Sequence, residues 1–258
     1  MFIVIKVWYN FSMKYEKIIK GIFVERPNRF VARVRLDDGA EIQAHVKNTG
    51  RCRELLQPGA AVYLEDFSER MGKRKLAFSL TAVEKKQENG DVLLVNLDSQ
   101  APNRAAGEAL RSGKILLPSM GRLSVVKGEQ TWGNSRFDFF VEDENGVCGY
   151  LEVKGVTLEE NGIARFPDAP TQRGVKHVHE LIRVKQSGRE AFLLFILQME
   201  GMKQLRPNDE THKAFGDALR EAAHAGVQIL AWECHVENDS MTVIRPVPVE
   251  LADRKKKE

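Results

Sequence analysis

The sequence predicts a small all-β module followed by an α/β domain whose mixed sheet is covered by helices. From Lys14 to about Val95 short alternating runs are separated by turn residues, with no stretch fit for a long helix. After Asn96 helical and strand-like patterns take turns. A hydrophobic share of 43% with 29% charged residues over 258 residues suits a globular chain of one large domain or two medium ones.

The elements follow in order. "MFIVIKVWYNFS" is apolar but interrupted by Lys6, too short to span a bilayer and without a small-residue cleavage site. Residues 1–12 therefore read as an extension, an extra strand or a tail, ahead of a first domain over 13–95. "KIIKGIFVER" alternates loosely, and "RFVARVRLDDGAEIQAHV" is two alternating runs around Asp38-Gly39, residues that tolerate positive φ and so mark a hairpin. "QPGAAVYLEDF" puts a turn before a strand; "KLAFSLTAVEKK" and "DVLLVNLD" are two more, split by Asn89-Gly90. Five or so strands in about 80 residues suggest a small barrel or sandwich.

The second domain, over 96–250, opens on the helix "PNRAAGEALRSGK", with Pro102 near its start and Gly113 at its end. Strands "LSVVKGEQT", "RFDFFVED" and "GYLEVKGV" follow. Then come the helix "TQRGVKHVHELIRVKQSG", the strand "AFLLFILQ", the helix "HKAFGDALREAAHAG" and the strand "VQILAWECHV". Residues 251–258, "LADRKKKE", read as a disordered tail. Trp8, Trp132 and Trp232 are scattered and read as packing residues.

Composition narrows the function classes. A net charge of +3 does not by itself argue nucleic-acid binding, but its distribution is uneven. Residues 13–95 hold 16 Lys/Arg against 12 Asp/Glu, including the cluster Arg70, Lys73, Arg74 and Lys75; a solvated loop would explain that cluster as well as a phosphate contact. Cys52, Cys148 and Cys234 are odd in number and far apart, which excludes a disulfide framework and paired-Cys zinc spacing and fits a reducing cytoplasm. No glycine loop for phosphates, nucleophile elbow or dinucleotide fingerprint is present.

The stretch "SRFDFFVEDENGVCGYLEVKGVT" carries the chemistry. Side chains alternate across a strand, so Arg136 and Asp138 share one face while Phe137, Phe139 and Val141 share the other. In the next run Glu152 and Lys154 share a face, opposite Leu151 and Val153. A hairpin closed at "DENG" would superpose the charged faces. Two carboxylates side by side repel, and a bound cation removes the penalty. Asp138, Glu152 and the Val153 carbonyl make a half-shell suited to Mg²⁺ or Mn²⁺, and Lys154 can position or help deprotonate an attacking water for phosphodiester hydrolysis. Exposed cross-strand Asp–Lys pairs also stabilise sheets, so the same residues fit a surface pairing. On the following helix Val175, Val178, Leu181 and Ile182 form an apolar stripe, Thr171 is placed to cap the start, and Gln172, Arg173 and Lys176 would lie near any phosphate at the site. His177 and His179, two apart on a helix, face different sides and read as surface histidines.

An acid on one strand and E-x-K on the next resembles the PD-(D/E)xK nucleases. More closely, "RFVARVRLDDGAEIQAHVKNTGRCRELLQPGA", "APNRAAGEAL", "SRFDFFVED", "YLEVKGVTLEENGIARFPDAPTQRGVKHVHEL" and "GVQILAWECHV" resemble the sugar fermentation stimulation protein A family. The resemblance implies an N-terminal OB-like five-stranded barrel and a PD-(D/E)xK nuclease-like α/β domain with a mixed central sheet. It implies a cytoplasmic DNA-binding protein. It also implies Asp138, Glu152 and Lys154 in the catalytic positions and Glu108 as an additional acid on the first helix; an exposed pair with Arg111 would equally explain Glu108. The expected activity is a divalent-metal-dependent nuclease; the alternative is a non-catalytic DNA-binding regulator of sugar (maltose) utilisation that keeps the fold. Single- or double-stranded DNA is the expected partner, through Arg29, Arg33, Arg51, Arg53, the Arg70–Lys75 cluster, Arg136 and the helix residues above, with Arg35, Lys47 and Tyr63 in support and Phe30 read as core. No membrane partner is expected, and oligomeric state is left open, a homodimer included.

Overall fold

The computed structural model describes residues 13–48 and 50–252, so the expectations for 1–12 and 253–258 lie outside the described residues. Leu251 is described; its carbonyl accepts a hydrogen bond from Arg220 Nε at 2.8 Å and its side chain packs against the core.

A two-residue strand β1 (Met13–Lys14) precedes the six strands of the first sheet: β2 (Ile18–Asn28), β3 (Val31–Arg35), β4 (Glu41–Val46), β5 (Ala61–Asp66), β6 (Phe78–Lys86) and β7 (Val92–Asn96). The hairpins fall where the turn residues place them, with Gly39 at φ +85° and Gly90 at φ +88°. The pairing order β4-β3-β2-β5-β6 is closed by a parallel β6–β4 ladder, giving a five-stranded OB barrel with β7 added beside β6. Gly21 lets this small barrel coil, because a Cβ there would stand 2.5 Å from Val34 Cγ1.

The second part begins with α1 (Ala101–Arg111), with Pro102 in its first turn, and the strands β8 (Leu123–Trp132), β9 (Ser135–Asp143) and β10 (Cys148–Val156). Two short strands, β11 (Leu158–Glu160) and β12 (Ile163–Phe166), lead to α2 (Gln172–Gln186). Then come β13 (Glu190–Leu197), β14 (Gln204–Pro207), α3 (Asp209–His224), β15 (Gln228–Val236) and β16 (Ser240–Pro246). The central sheet runs β1-β16-β15-β13-β10-β9-β8, with β10, β13 and β15 parallel and the outer pairs antiparallel. β11, β12 and β14 form a small separate sheet.

The unbroken apolar run of β13 follows from burial on both faces. Leu193, Phe195 and Leu197 join the core under α2 and α3, while Phe192, Leu194 and Ile196 join the core under α1. The first of these cores is continuous with the barrel interior through Phe23, Val34, Leu64 and Leu80. A polar junction reinforces the seam. Gln198 Nε2 donates to the Asn96 and Asp98 carbonyls, Lys47 Nζ lies 2.8 Å from Asp98 Oδ2, and Lys85 pairs with buried Glu159. Among the described residues no helix is long and apolar enough to cross a membrane, and Cys52, Cys148 and Cys234 are free.

Candidate functional site

The β9–β10 hairpin closes at Asp143-Glu144-Asn145-Gly146. The Asp143 carboxylate accepts hydrogen bonds from the backbone N–H groups of Gly121, Asn145 and Val147. The ladder pairs Cys148 with Glu142 and ends with Leu151 opposite Phe139. One step further Asp138 stands level with Glu152, and the ladder is replaced by a side chain: Val153 N–H donates to Asp138 Oδ2 at 2.7 Å. Strict alternation breaks here. Phe137 lies 5.6 Å from the Tyr150 ring and 6.4 Å from His177, on the α2 side, whereas Phe139 and Val141 belong to the core under α1. The three apolar residues of β9 therefore do not share one face as the pattern predicts. The strand changes sides at Asp138, opposite Glu129, whose φ of +53° distorts β8.

The acids are held from two helices. Asn103 Nδ2, in the first turn of α1, donates to Asp138 Oδ1 at 2.6 Å. His177 Nδ1, on α2, lies 2.5 Å from Glu152 Oε1, and Lys154 Nζ lies 2.6 Å from the same oxygen. Arg173 Nε donates to His177 Nε2 at 3.4 Å, which leaves Nδ1–H as the donor to Glu152. His177 is thus buried and part of the site, contrary to the surface expectation. His179, on the other side of the helix, faces Glu221. Glu152 Oε2 is buried with no hydrogen-bond partner.

The two carboxyls titrate apart. Burial, then the negative charge of Glu152, pushes Asp138 above the usual carboxylate range. Burial pushes Glu152 upward as well, but its bond to His177 and the Lys154 ammonium outweigh that and hold it below the range. Among the described residues no group of three His, Cys, Asp or Glu side chains is gathered for a metal ion. A cation at this site would therefore draw on two carboxylates and on backbone oxygen such as the Val153 carbonyl. Glu108 is half-buried farther along α1, its carboxyl raised by burial against the charges of Arg104 and Arg111, and the α1 side chain bonded to Asp138 is Asn103.

The predicted basic residues divide sharply. Arg33 is paired with Glu25 and Glu41, Arg35 with Glu41, Arg70 with Glu16 and Glu65, and Arg136 with Glu129. The Arg74 guanidinium lies 3.7 Å from the Phe67 ring centre, and the Tyr63 hydroxyl bonds Glu84. Lys73, Lys75, Gln172, Arg173 and Lys176 are exposed. Arg29, Arg51 and Arg53 line a cavity of about 600 Å³ together with Arg26, Leu56 and Pro170. Phe30 is 51% exposed, not core: it sits at the tip of the β2–β3 hairpin, next in the chain to Asn28 and Arg29 of the cavity wall.

Sequence reasoning missed Asn103, His177 and Arg26. Arg173 and His177, four apart on one helix, were the available signal for the second. Arg26 donates to the carbonyls of Arg29, Asn48, Gly50 and Arg51, a role no pattern announces.

Comparison with known proteins completes the description. Residues 24–95 match the SfsA N-terminal OB domain, and residues 100–240 match the sugar fermentation stimulation protein RE domain. The sugar fermentation stimulation protein homolog of Ruminiclostridium cellulolyticum is 46% identical, over 93% of this chain and all of the relative. The homolog of Clostridium botulinum strain Loch Maree is 47% identical over the same shares. The structure of Pyrococcus furiosus SfsA in complex with Ca²⁺ superposes with a TM-score of 0.79 at 27% identity, covering 92% of this chain and 98% of that one. The chain belongs to the sugar fermentation stimulation protein family.

Proposed function

We propose that this chain is a DNA-binding, divalent-metal-dependent nuclease that hydrolyses phosphodiesters at Asp138, Glu152 and Lys154. The observation that carries the reading is Glu152 Oε2, a buried carboxylate oxygen without a partner beside a second, partly buried carboxylate. Buried charged oxygens are costly unless something binds them, and a hard cation with oxygen ligands answers that need. The Ca²⁺ recorded for the archaeal relative supports a hard-cation site. When bound, Mg²⁺ or Mn²⁺ supplies an acidified water and neutralises charge developing on the phosphate.

The chain's own groups do the rest. Asp138, Glu152 and the Val153 carbonyl would hold the cation. Asn103 and the Val153 N–H fix Asp138, and His177 fixes Glu152. Lys154, an ammonium with three donors, orients the attacking water or a phosphate oxygen. A second reading, a DNA-binding protein without turnover, is favoured by one feature. Lys154 and His177 already balance Glu152 Oε1 without a metal.

The test is incubation of end-labelled single- and double-stranded DNA with Mg²⁺ or Mn²⁺, beside Asp138→Asn and Glu152→Gln. Metal-dependent cleavage that falls by about 10²–10³-fold in each variant is expected. Cleavage undiminished in both would overturn the assignment. Salt-sensitive binding without cleavage would leave the second reading.

A further inference from the structure

Seven of the sixteen Lys and Arg side chains of residues 13–95 are spent on carboxylates of the same molecule. Lys17, Lys20, Arg33, Arg35, Lys47, Arg70 and Lys85 all lie within ion-pair distance of an acid. Arg29, Arg51 and Arg53 differ: among the described residues none of their guanidinium groups is ion-paired with a carboxylate, and unlike the exposed Lys73 and Lys75 all three border one concavity of about 600 Å³, where the Asp168 carboxylate accepts a hydrogen bond from the Arg51 backbone N–H. Three like charges facing one cavity repel, and an anion between them removes that cost. Arg26 braces the wall. It spends its guanidinium on four backbone carbonyls, which fixes the segment carrying Arg51 against the hairpin carrying Arg29.

Two further features say which anion. The exposed Phe30 ring stands at the hairpin tip beside this wall, with the Arg29 guanidinium 5.7 Å from its centre. An exposed ring beside unpaired arginines is a platform for an unpaired base next to its phosphate. A sugar phosphate has no π-face to stack, and bases in a duplex are stacked on each other. The far wall is Ala169 and Pro170, directly before the capped N-terminus of α2. From Gln172 to His177 the helix advances about 7.5 Å, so the start of α2 leads from the cavity wall toward the residue that holds Glu152.

We infer that the cavity walled by Arg29, Arg51 and Arg53 seats the phosphates of single-stranded nucleic acid, with a base stacked on Phe30, and feeds that strand along the first turns of α2 toward Glu152. This rests on the DNA-binding half of the function proposed above; only the direction of the strand toward Glu152 draws on its hydrolytic half.

The test is fluorescence anisotropy in EDTA with the whole chain and a labelled oligothymidylate of about a dozen nucleotides. The double variant Arg51→Gln/Arg53→Gln weakens binding at least tenfold and lowers the slope of log affinity against log salt by about 1.4. Phe30→Ala weakens it about fivefold or more. Arg189→Gln, which removes a charge beyond the other end of α2, leaves affinity within twofold. Wild-type binding that survives Arg51→Gln/Arg53→Gln overturns this site and spares the general reading. No binding by the wild type at low salt overturns both. Displacement of the strand by a hexose phosphate as effectively as by thymidylate overturns the choice of nucleic acid.

Discussion

At the scale of single residues, the site depends on how each carboxylate is gripped. Glu152 takes both its bonds on Oε1, which frees Oε2, and the grip comes from a histidine one helix away. We expect His177→Ala to lower cleavage about 10–100-fold, the usual cost of losing a group that orients a ligand. His177→Gln, which keeps a donor, should restore most of it. The distinguishing readout is the Mn²⁺ concentration for half-maximal activity, which rises in the alanine variant; unchanged activity and metal dependence would remove His177 from the site. The nearness of Asp138 and Glu152 was legible from hairpin register, since a hairpin at "DENG" brings the two level, although the alternation expected to put Phe137, Phe139 and Val141 on one face breaks at Asp138. His177 was not. Its spacing from His179 correctly said that the two face apart, but spacing carries no information on which side meets the sheet. Phe30 was misread for a related reason: a hairpin tip is exposed whatever its hydrophobicity.

At the scale of elements, two tight approaches place the acids. Gly155 of β10 lies under the start of α1, where a Cβ would stand 2.6 Å from Pro102 Cγ and 2.5 Å from Gln198 Oε1. Gly155→Ala must push α1 outward and with it Asn103. The expected result is destabilisation of about 1–3 kcal/mol with a fall in cleavage larger than the unfolded fraction explains. The measurements are denaturant titration and turnover per folded molecule. The other approach is the Asp143 turn, where three backbone N–H groups, that of Gly121 foremost, hold the carboxyl below the usual range despite desolvation. A lowered folded pKa means that this stabilisation is present above the unfolded value, about 3.9, and is lost as pH falls through the folded value. Asp143→Asn should therefore be less stable than wild type near neutrality, and the gap should narrow below about pH 4. A gap constant from pH 7 to 3, followed by thermal unfolding, would contradict this. Strands with clear alternation and turn residues at their ends were readable from the chain. β11, β12, β14 and β16 were not, because three- and four-residue strands rich in charge offer no period to detect, and "SMTVIRP" follows a turn without glycine.

At the scale of the whole molecule, barrel and sheet share one apolar core and a buried polar seam. Lys85 of β6 reaches both the carbonyl and the carboxylate of Glu159 on β11. Lys85→Met would strand a buried carboxylate and should cost about 3–5 kcal/mol. Lys85→Met/Glu159→Leu should recover much of that loss. Chemical denaturation followed by barrel and helix signals should show one transition throughout; two separate transitions would mean that the halves unfold independently. That the halves share a core was not readable from composition, because the linking residues, Asn96, Asp98 and Gln198, are polar and far apart in sequence. A last consequence concerns the order in which a ribosome delivers the parts. Met13 and Lys14 come before the barrel, yet their ladder partners are Met241 and Ser240, and Tyr15 N–H bonds the Asp239 carbonyl. The strands of the barrel have all been made by Asn96, while the short segment ahead of them must wait, unpaired, until more than two hundred further residues have been made.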